Sequence, residues 1–122
     1  MASRDRLCAV KPAILLVVKL AHTFVWALFA GLIVAIPLAS FYGRHAVAAW
    51  SAAVVAVEVL VLAVNGFRCP LTAVAARYTE DRRDNFDIYL PQWLARHNKV
   101  IFGTLYLAGI AFALARWALA AE

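Results

Sequence analysis

The stretch from Ala46 to Phe67, AVAAWSAAVVAVEVLVLAVNGF, decides the fold of this chain. It is long enough to cross a bilayer as an α-helix, which takes about 20 predominantly apolar residues. Glu58 is the one charged residue in this stretch. An ionisable group inside a bilayer costs free energy unless it is paired, protonated or hydrated, so Glu58 is a candidate functional residue.

The composition extends this interpretation to the whole chain of 122 residues, of which 66% are hydrophobic and 16% charged. This is far more apolar than an ordinary soluble domain, which is about half apolar. Two further apolar runs flank the first, at 13–41 and 100–120. We therefore predict an all-α membrane protein, a single integral membrane domain of residues 1–122, with transmembrane helices at about 13–41, 46–67 and 100–120.

The predicted connection between the second and third spans, residues 68–99, is helical and partly interfacial. Pro70 can open a short helix, because the first helical position does not need the N–H that proline lacks. The run EDRRDNFD at 80–87 is interpreted as a solvated turn. Pro91 can open a second helix that continues without a break into the third span.

The lysines and arginines predict the orientation. The net charge is +5, and the positive residues concentrate before the first span and in the connection. Cytoplasmic flanks retain positive charge, so the N-terminus and the connection are predicted to be cytoplasmic and the C-terminus outside. The charges lie at the ends of apolar runs, which suits the lipid bilayer as a partner and speaks against nucleic acid.

Polar residues recur on one face of each of the first two predicted spans: Lys19, His22 and Thr23 on the first, and Ser51, Glu58 and Asn65 on the second. Glu58 and His22 each lie about nine residues from the cytoplasmic end of their span, roughly 13 Å deep at the helical rise. We predict a buried polar seam in which Glu58 pairs with His22 or Lys19. It is either a proton relay or ligand site, or a clamp that fixes helix register.

Three functions remain open at this point. Small residues at Ala27, Gly31 and Ala35 allow close helix approach, which favours an accessory or interaction subunit that binds other membrane subunits or itself. No cofactor is firmly predicted, but a redox protein could hold haem b or quinone between helices, with His22 and His97 as haem ligands. A component of a proton-coupled transporter would use Glu58.

The two cysteines, Cys8 and Cys69, are too few for a disulfide framework and are predicted to be free thiols. Cys69 follows Arg68 at the start of the predicted short helix, so it is a candidate reactive thiol, with a buried cap contact or, in a eukaryote, a palmitoylation site as the alternatives. The sequence predicts no metal site and contains no motif that specifies a catalytic reaction.

The segment Asn65 to Thr72, NGFRCPLT, resembles a motif in uncharacterised families of small bacterial polytopic membrane proteins, in which Cys-Pro-Leu-Thr follows a transmembrane helix. The stretch Phe86 to Pro91, FDIYLP, also resembles sequence from such proteins, and the resemblance covers residues 65–100. One departure is that Ala75 and Ala76 stand in the region where those families carry a glutamate. The resemblance implies a location in the bacterial inner membrane and assigns no activity.

Overall fold

A computed structural model describes the backbone of residues 2–121 and the side chains of residues 11–120. Every regular element in residues 2–121 is an α-helix, in the order α1 (Ala2–Phe41), α2 (His45–Val64), α3 (Pro70–Ala76) and α4 (Gln92–Ala121). Three segments are long and apolar enough to cross a membrane, Lys11–Phe41, His45–Val64 and Gln92–Ala120. The predicted all-α membrane fold is confirmed.

Helix α1 organises the bundle. Both α2 and α4 pack along it, whereas α2 and α4 contact each other at few positions. The side chains of Ile33, Ile36 and Val55 are buried in this packing, and Ile36 is fully buried. A Cβ placed on Gly109 of α4 would lie 3.3 Å from Cδ of Pro37, so α4 approaches α1 closely at this position, where it carries no side chain.

A short turn of residues 42–44 joins α1 to α2. Gly43 has a φ of 75°, a left-handed conformation that glycine adopts without steric cost. The backbone N–H of Arg44 donates to the carbonyl of Ala39 at 2.8 Å and closes the turn. Because the turn is so short, α1 and α2 run antiparallel as neighbours.

Helix α2 ends at Val64, three residues before the predicted end of the second span. Gly66 and Phe67 both have positive φ, at 68° and 61°, and the N–H of Phe67 turns back to the carbonyl of Leu62. Two successive left-handed residues cannot continue a right-handed helix. In the structure the segment between α2 and α4 therefore comprises residues 65–91, where the prediction was 68–99. We call residues 65–91 the connection from here on.

The connection contains α3, which Pro70 opens as predicted, and it ends where α4 begins at Gln92. The predicted helix after Pro91 does run without a break into the third span. The helix therefore starts eight residues before the predicted span start at 100, and Lys99 lies within it. We call the part of the bundle beside residues 65–91 the connection end.

Most large apolar side chains of the three long helices are exposed, including Phe24, Val64 and Leu119. In the apolar windows of the three candidate spans only 22%, 17% and 6% of residues are buried inside the protein. Such surface is costly in water and neutral in hydrocarbon. The helices are therefore suited to direct contact with lipid.

Candidate functional site

A cavity of about 1000 Å³ lies between α2 and α4, with α1 as its back wall and the connection across one end. It exists because α2 and α4 both pack on α1 and hardly on each other. Its volume is at the upper end of the roughly 300–1,000 Å³ range of small-molecule sites. By its size, the cavity is the candidate functional site of the protein.

The cavity differs in character along its length. Away from the connection its walls are apolar, with Phe29 and Ile33 of α1, Val55 of α2 and Phe102 of α4. At the connection end the lining is ionisable or polar, and includes His22, Glu58, Arg68, Cys69, Thr72, Asp87 and Lys99. Such a site has one end suited to a hydrocarbon chain and one end suited to a polar headgroup.

His22 is held by Asp87, a partner that the sequence did not suggest. Its Nδ1 lies 3.1 Å from the backbone carbonyl oxygen of Asp87 and 3.4 Å from Oδ2 of the same residue. The hydroxyl of Thr72 in α3 donates to that Oδ2. Burial alone would raise the pKa of Asp87, but the hydrogen bonds from His22 and Thr72, with the charge of a protonated imidazole, lower this pKa below its usual value.

Lys19 and Thr23, the other polar residues predicted on the same face of α1 as His22, also contact the connection. The hydroxyl of Thr23 donates to the carbonyl of Lys19 at 2.7 Å and accepts the backbone N–H of Tyr89 at 2.9 Å. The ammonium group of Lys19 lies 4.3 Å from the centre of the Tyr89 ring, a cation–π contact. All three polar residues on this face of α1 therefore contact the connection, at Asp87 and Tyr89.

Glu58 of α2 lines the same cavity as His22 of α1. The structure thus brings the two predicted residues to one site. Within residues 11–120, however, no hydrogen bond or ion pair joins Glu58 to His22 or Lys19, and Nδ1 of His22 is engaged by Asp87 instead. The chemical role of Glu58 stays a prediction.

The other two residues predicted on the face of Glu58 have separate positions. Asn65 lines the cavity, and its side-chain amide donates to the carbonyl of Arg68 at 2.6 Å, which stabilises the turn after α2. Ser51 is buried in the helix packing and does not line the cavity. The predicted seam therefore divides into a cavity part with Glu58 and Asn65 and a packing part with Ser51.

The two predicted haem ligands do not meet in the cavity. His22 lines it, whereas His97 is exposed and its Nδ1 is bonded to the carbonyl of Trp93 one turn earlier in α4, at 2.8 Å. The mutual geometry needed for one iron between two imidazoles is not present in the described part of the chain. The residues present do not fit a bis-histidine haem.

Cys69 is a free thiol at the start of α3 and lines the cavity. The imidazole of His22 lines the same cavity. Cys8, the other predicted free thiol, lies outside the described side chains. In residues 11–120 no group of three histidine, cysteine or acidic side chains could hold a metal ion.

Four cationic side chains line the connection end, and two of them are already engaged. Arg83 pairs with Asp81 at 2.8 Å, and its hydrogen bonds lower the pKa of Asp81 to about 2. Arg82 donates to backbone carbonyls, among them that of Ala76. The side chains of Arg68 and Lys99 have no hydrogen bond or ion pair with any residue in 11–120. Arg68 follows α2 and Lys99 lies in α4, so two different parts of the chain bring these cations to the cavity.

The sequence did not predict two features of this site. One is the role of Asp87 as the partner of His22, and the other is the unpaired state of Arg68 and Lys99. Asp87 was interpreted as part of a solvated turn, yet it is only 5% exposed. A signal was present, since Asp87 lies between the apolar residues Phe86 and Ile88, and Ile88 is buried. A carboxylate between side chains that must be buried needs a partner.

Comparison of the chain with protein families, with curated proteins and with solved structures found no match. The candidate site is therefore defined by its own geometry.

Proposed function

We propose that this small multi-pass membrane protein binds an amphipathic molecule with an anionic headgroup in the cavity between α2 and α4. The observation that carries the proposal is the pair Arg68 and Lys99 at the connection end of a cavity whose other walls are apolar. An anionic headgroup would lie between these two cations. The attached hydrocarbon chain would lie against Phe29, Ile33 and Val55.

Charge supports this choice of ligand. Of the ionisable groups that line the connection end, Asp87 is engaged by His22, Arg83 by Asp81, and Asp84 by Arg96 at 3.0 Å. The charged lining groups without a partner in residues 11–120 are the cations Arg68 and Lys99 and the carboxylate of Glu58, so positive charge exceeds negative charge among them. Each lysine or arginine near an anionic lipid surface contributes about 1 kcal/mol of attraction, which is about fivefold in affinity.

The lipid preference can be measured directly. The protein is placed in nanodiscs that contain equal amounts of phosphatidylglycerol and phosphatidylcholine, and the lipid retained after detergent exchange is counted by native mass spectrometry. We expect retention of phosphatidylglycerol, and a loss of about 25-fold in the double variant Arg68→Gln and Lys99→Gln, which is about fivefold for each cation removed. A matched control, Lys11→Gln with Arg44→Gln, removes the same charge from exposed positions that do not line the cavity.

A steric variant tests the apolar part of the site. Gly103 lines the cavity, and a Cβ added there would meet no atom within 4 Å, so Gly103→Trp fills the cavity without a backbone clash. Gly31→Trp is the control, because Gly31 is equally open and does not line the cavity. Equal retention in both variants, or displacement of the lipid by inorganic phosphate alone, would show that the cavity does not hold an amphiphile.

The interaction subunit is a second candidate, favoured by a different surface. Gly31 and Ala27 are exposed on α1, and the open space over Gly31 would let a partner helix approach closely. A pull-down in mild detergent, with mass spectrometry of the bound proteins, tests this function. Gly31→Leu should then reduce recovery of the partner, and unchanged recovery would exclude this face of α1.

The location that fits both candidates is the bacterial inner membrane, with the N-terminus and the connection in the cytoplasm. The support is the sequence resemblance at 65–72 and the concentration of lysine and arginine at one end of the bundle.

A further inference from the structure

The cavity has a definite far end, away from the connection. The last residue that lines it in this direction is Ile33 on α1, Val55 on α2 and Tyr106 on α4. On each of these helices the lining residues recur at intervals of three and four, so each helix contributes one face to the cavity. All three faces continue along their helices, but the cavity does not.

The reason is that the same faces are closely packed one turn further on. Ile36 of α1 is fully buried, and Ser51 of α2 is only 5% exposed. On α4 the next position of the face is Gly109, where an added Cβ would lie 3.6 Å from Cγ2 of Ile36. The bundle therefore closes immediately beyond the cavity.

Tyr106 lies at this boundary and joins two walls of the cavity. Its hydroxyl donates a hydrogen bond of 2.8 Å to the backbone carbonyl of Ala52 in α2. Among residues 11–120 this is the one side-chain hydrogen bond between α2 and α4. A tyrosine hydroxyl in an apolar region needs such a partner, because an unpaired polar group is costly there. The bond therefore holds the Tyr106 side chain between α4 and α2 at the far end of the cavity.

The distance from the polar end to Tyr106 limits the length of a bound hydrocarbon chain. Lys99 lies two helical turns before Tyr106 on α4, about 10 Å at the helical rise. On α2 the lining extends from Asn65 to Val55, about 15 Å by the same measure. The hydrocarbon layer of one bilayer leaflet is also about 15 Å thick, half of the apolar core. The cavity is thus no deeper than one leaflet.

We propose that the ring of Tyr106 is the floor of the cavity and selects ligands by the length of their acyl chain. This inference rests on the proposed function, because it needs an amphipathic ligand whose headgroup lies at Arg68 and Lys99. An acyl chain that just reaches Tyr106 contacts the whole apolar lining, whereas a shorter one leaves part of the lining without contacts. A longer one has to fold back or leave the cavity between α2 and α4. Binding is therefore strongest at one acyl-chain length.

Lysophosphatidylglycerols test this selection, because each carries one acyl chain and an anionic headgroup. An equimolar mixture of the saturated forms from octanoyl to arachidoyl is offered to the purified protein in a mild detergent, and the bound forms are counted by native mass spectrometry. We expect a maximum at one acyl-chain length in the parent protein. All variants are compared with the parent on the same mixture, so differences in how the lipids partition into detergent cancel.

Two variants should move this maximum in opposite directions. Tyr106→Ala removes the floor and should shift the maximum to a longer acyl chain, by at least one member of the series. Gly103→Leu should shift it to a shorter one, because Gly103 lines the cavity one turn nearer the connection. An added Cβ at Gly103 would meet no atom within 4 Å, so this variant does not disturb the helix packing.

Three further variants separate the ring from other effects. Tyr106→Phe keeps the ring and loses the hydroxyl, so the maximum should stay in place. Tyr42→Ala removes a tyrosine from the exposed turn outside the cavity and should leave the profile unchanged. Arg68→Gln with Lys99→Gln should lower the retention of every form without moving the maximum, because it alters the contacts of the headgroup alone.

The parent maximum retained in both Tyr106→Ala and Gly103→Leu would overturn the inference. So would a shift in Tyr106→Phe as large as that in Tyr106→Ala. A loosened bundle would lower the retention of all forms alike, so loss of folding does not imitate opposite shifts in two variants. Equal retention of every acyl-chain length by the parent protein would overturn the inference alone, whereas retention of none would overturn the proposed function and the inference together.

Discussion

The indole nitrogen of Trp26 donates a hydrogen bond of 2.7 Å to the side-chain oxygen of Asn98, and this bond joins α1 to α4 at the wall of the cavity. The edge of the Trp26 ring also meets Phe102, with ring centres 5.6 Å apart. The back wall and one side wall of the cavity are thus held by a polar and an aromatic contact of the same residue.

Trp26→Phe should lower the free energy of unfolding by about 1 kcal/mol, because it removes the hydrogen bond and keeps an aromatic ring against Phe102. Unfolding in mixed micelles of a mild detergent and sodium dodecyl sulfate measures this change. In a double-mutant cycle with Asn98→Ala, the two changes should be less than additive. Full additivity would mean that the two side chains do not interact.

Gly109→Leu should separate α1 from α4 and destabilise the bundle by about 1–3 kcal/mol, the usual cost of overpacking. The reason is that even a Cβ at this position would lie 3.3 Å from Pro37 and 3.6 Å from Ile36. Gly103→Leu on the same helix is the control, because its Cβ would meet no atom within 4 Å. Similar thermal unfolding temperatures for the two variants would contradict the close contact at Gly109.

Asp87 should make the stability of the protein depend on acid pH. Its pKa is lower in the folded protein than its usual value of about 3.9, so the ionised carboxylate stabilises the fold above that pH. This stabilisation is lost as the pH falls through the lowered pKa of the folded state. Thermal unfolding between pH 7 and pH 2 should show the loss in the parent protein and a smaller one in Asp87→Asn.

At pH 7, Asp87→Asn should cost about 1.5–3 kcal/mol, the contribution of a hydrogen bond to a charged group. Asp84→Asn is the control, since its ion pair with Arg96 is exposed and such pairs contribute at most about 1 kcal/mol. If both variants unfold alike at every pH, Asp87 does not hold the connection to α1.

The predicted orientation can be checked with reporter fusions in a bacterial host. Alkaline phosphatase fused after Glu122 should be active, since that enzyme folds outside the cytoplasm, and the same enzyme inserted after Asp84 in the connection should be inactive. A fluorescent protein that matures only in the cytoplasm should give the opposite pattern at the two positions. Phosphatase activity at both positions would place both outside the cytoplasm. It would contradict a single membrane crossing by α4 between them.

The helices were predictable because the length of an apolar run is a local property of the sequence. The starts of α3 and α4 followed from Pro70 and Pro91, whose fixed φ suits the first turn of a helix. The end of α2 was harder to place, since the apolar pattern continues to Phe67. It is the left-handed conformation of Gly66 and Phe67 that ends the helix at Val64.

The site was predictable only in part. Counting residues from the ends of the helices placed His22 and Glu58 at a similar depth, and both do line one cavity. Depth carries no information about rotation around the helix axis or about a distant segment, and the partner of His22 lies 65 residues further along the chain, at Asp87. From sequence alone, the mixed-charge run at 80–87 is typical of a solvated turn. Only the folded structure shows that its neighbour Ile88 is buried and takes Asp87 with it.

The central position of α1 has a consequence for biosynthesis. Helix α1 precedes both of its neighbours in the chain, and the turn of residues 42–44 lets α2 pack on it as soon as His45–Val64 has been inserted. The cavity acquires its second wall only when Gln92–Ala121 docks at the opposite flank of α1. A nascent chain that stops before residue 92 would contain a helical hairpin with neither the cavity nor the hydrogen bond between Trp26 and Asn98, so ligand binding begins only after the last long helix has been inserted.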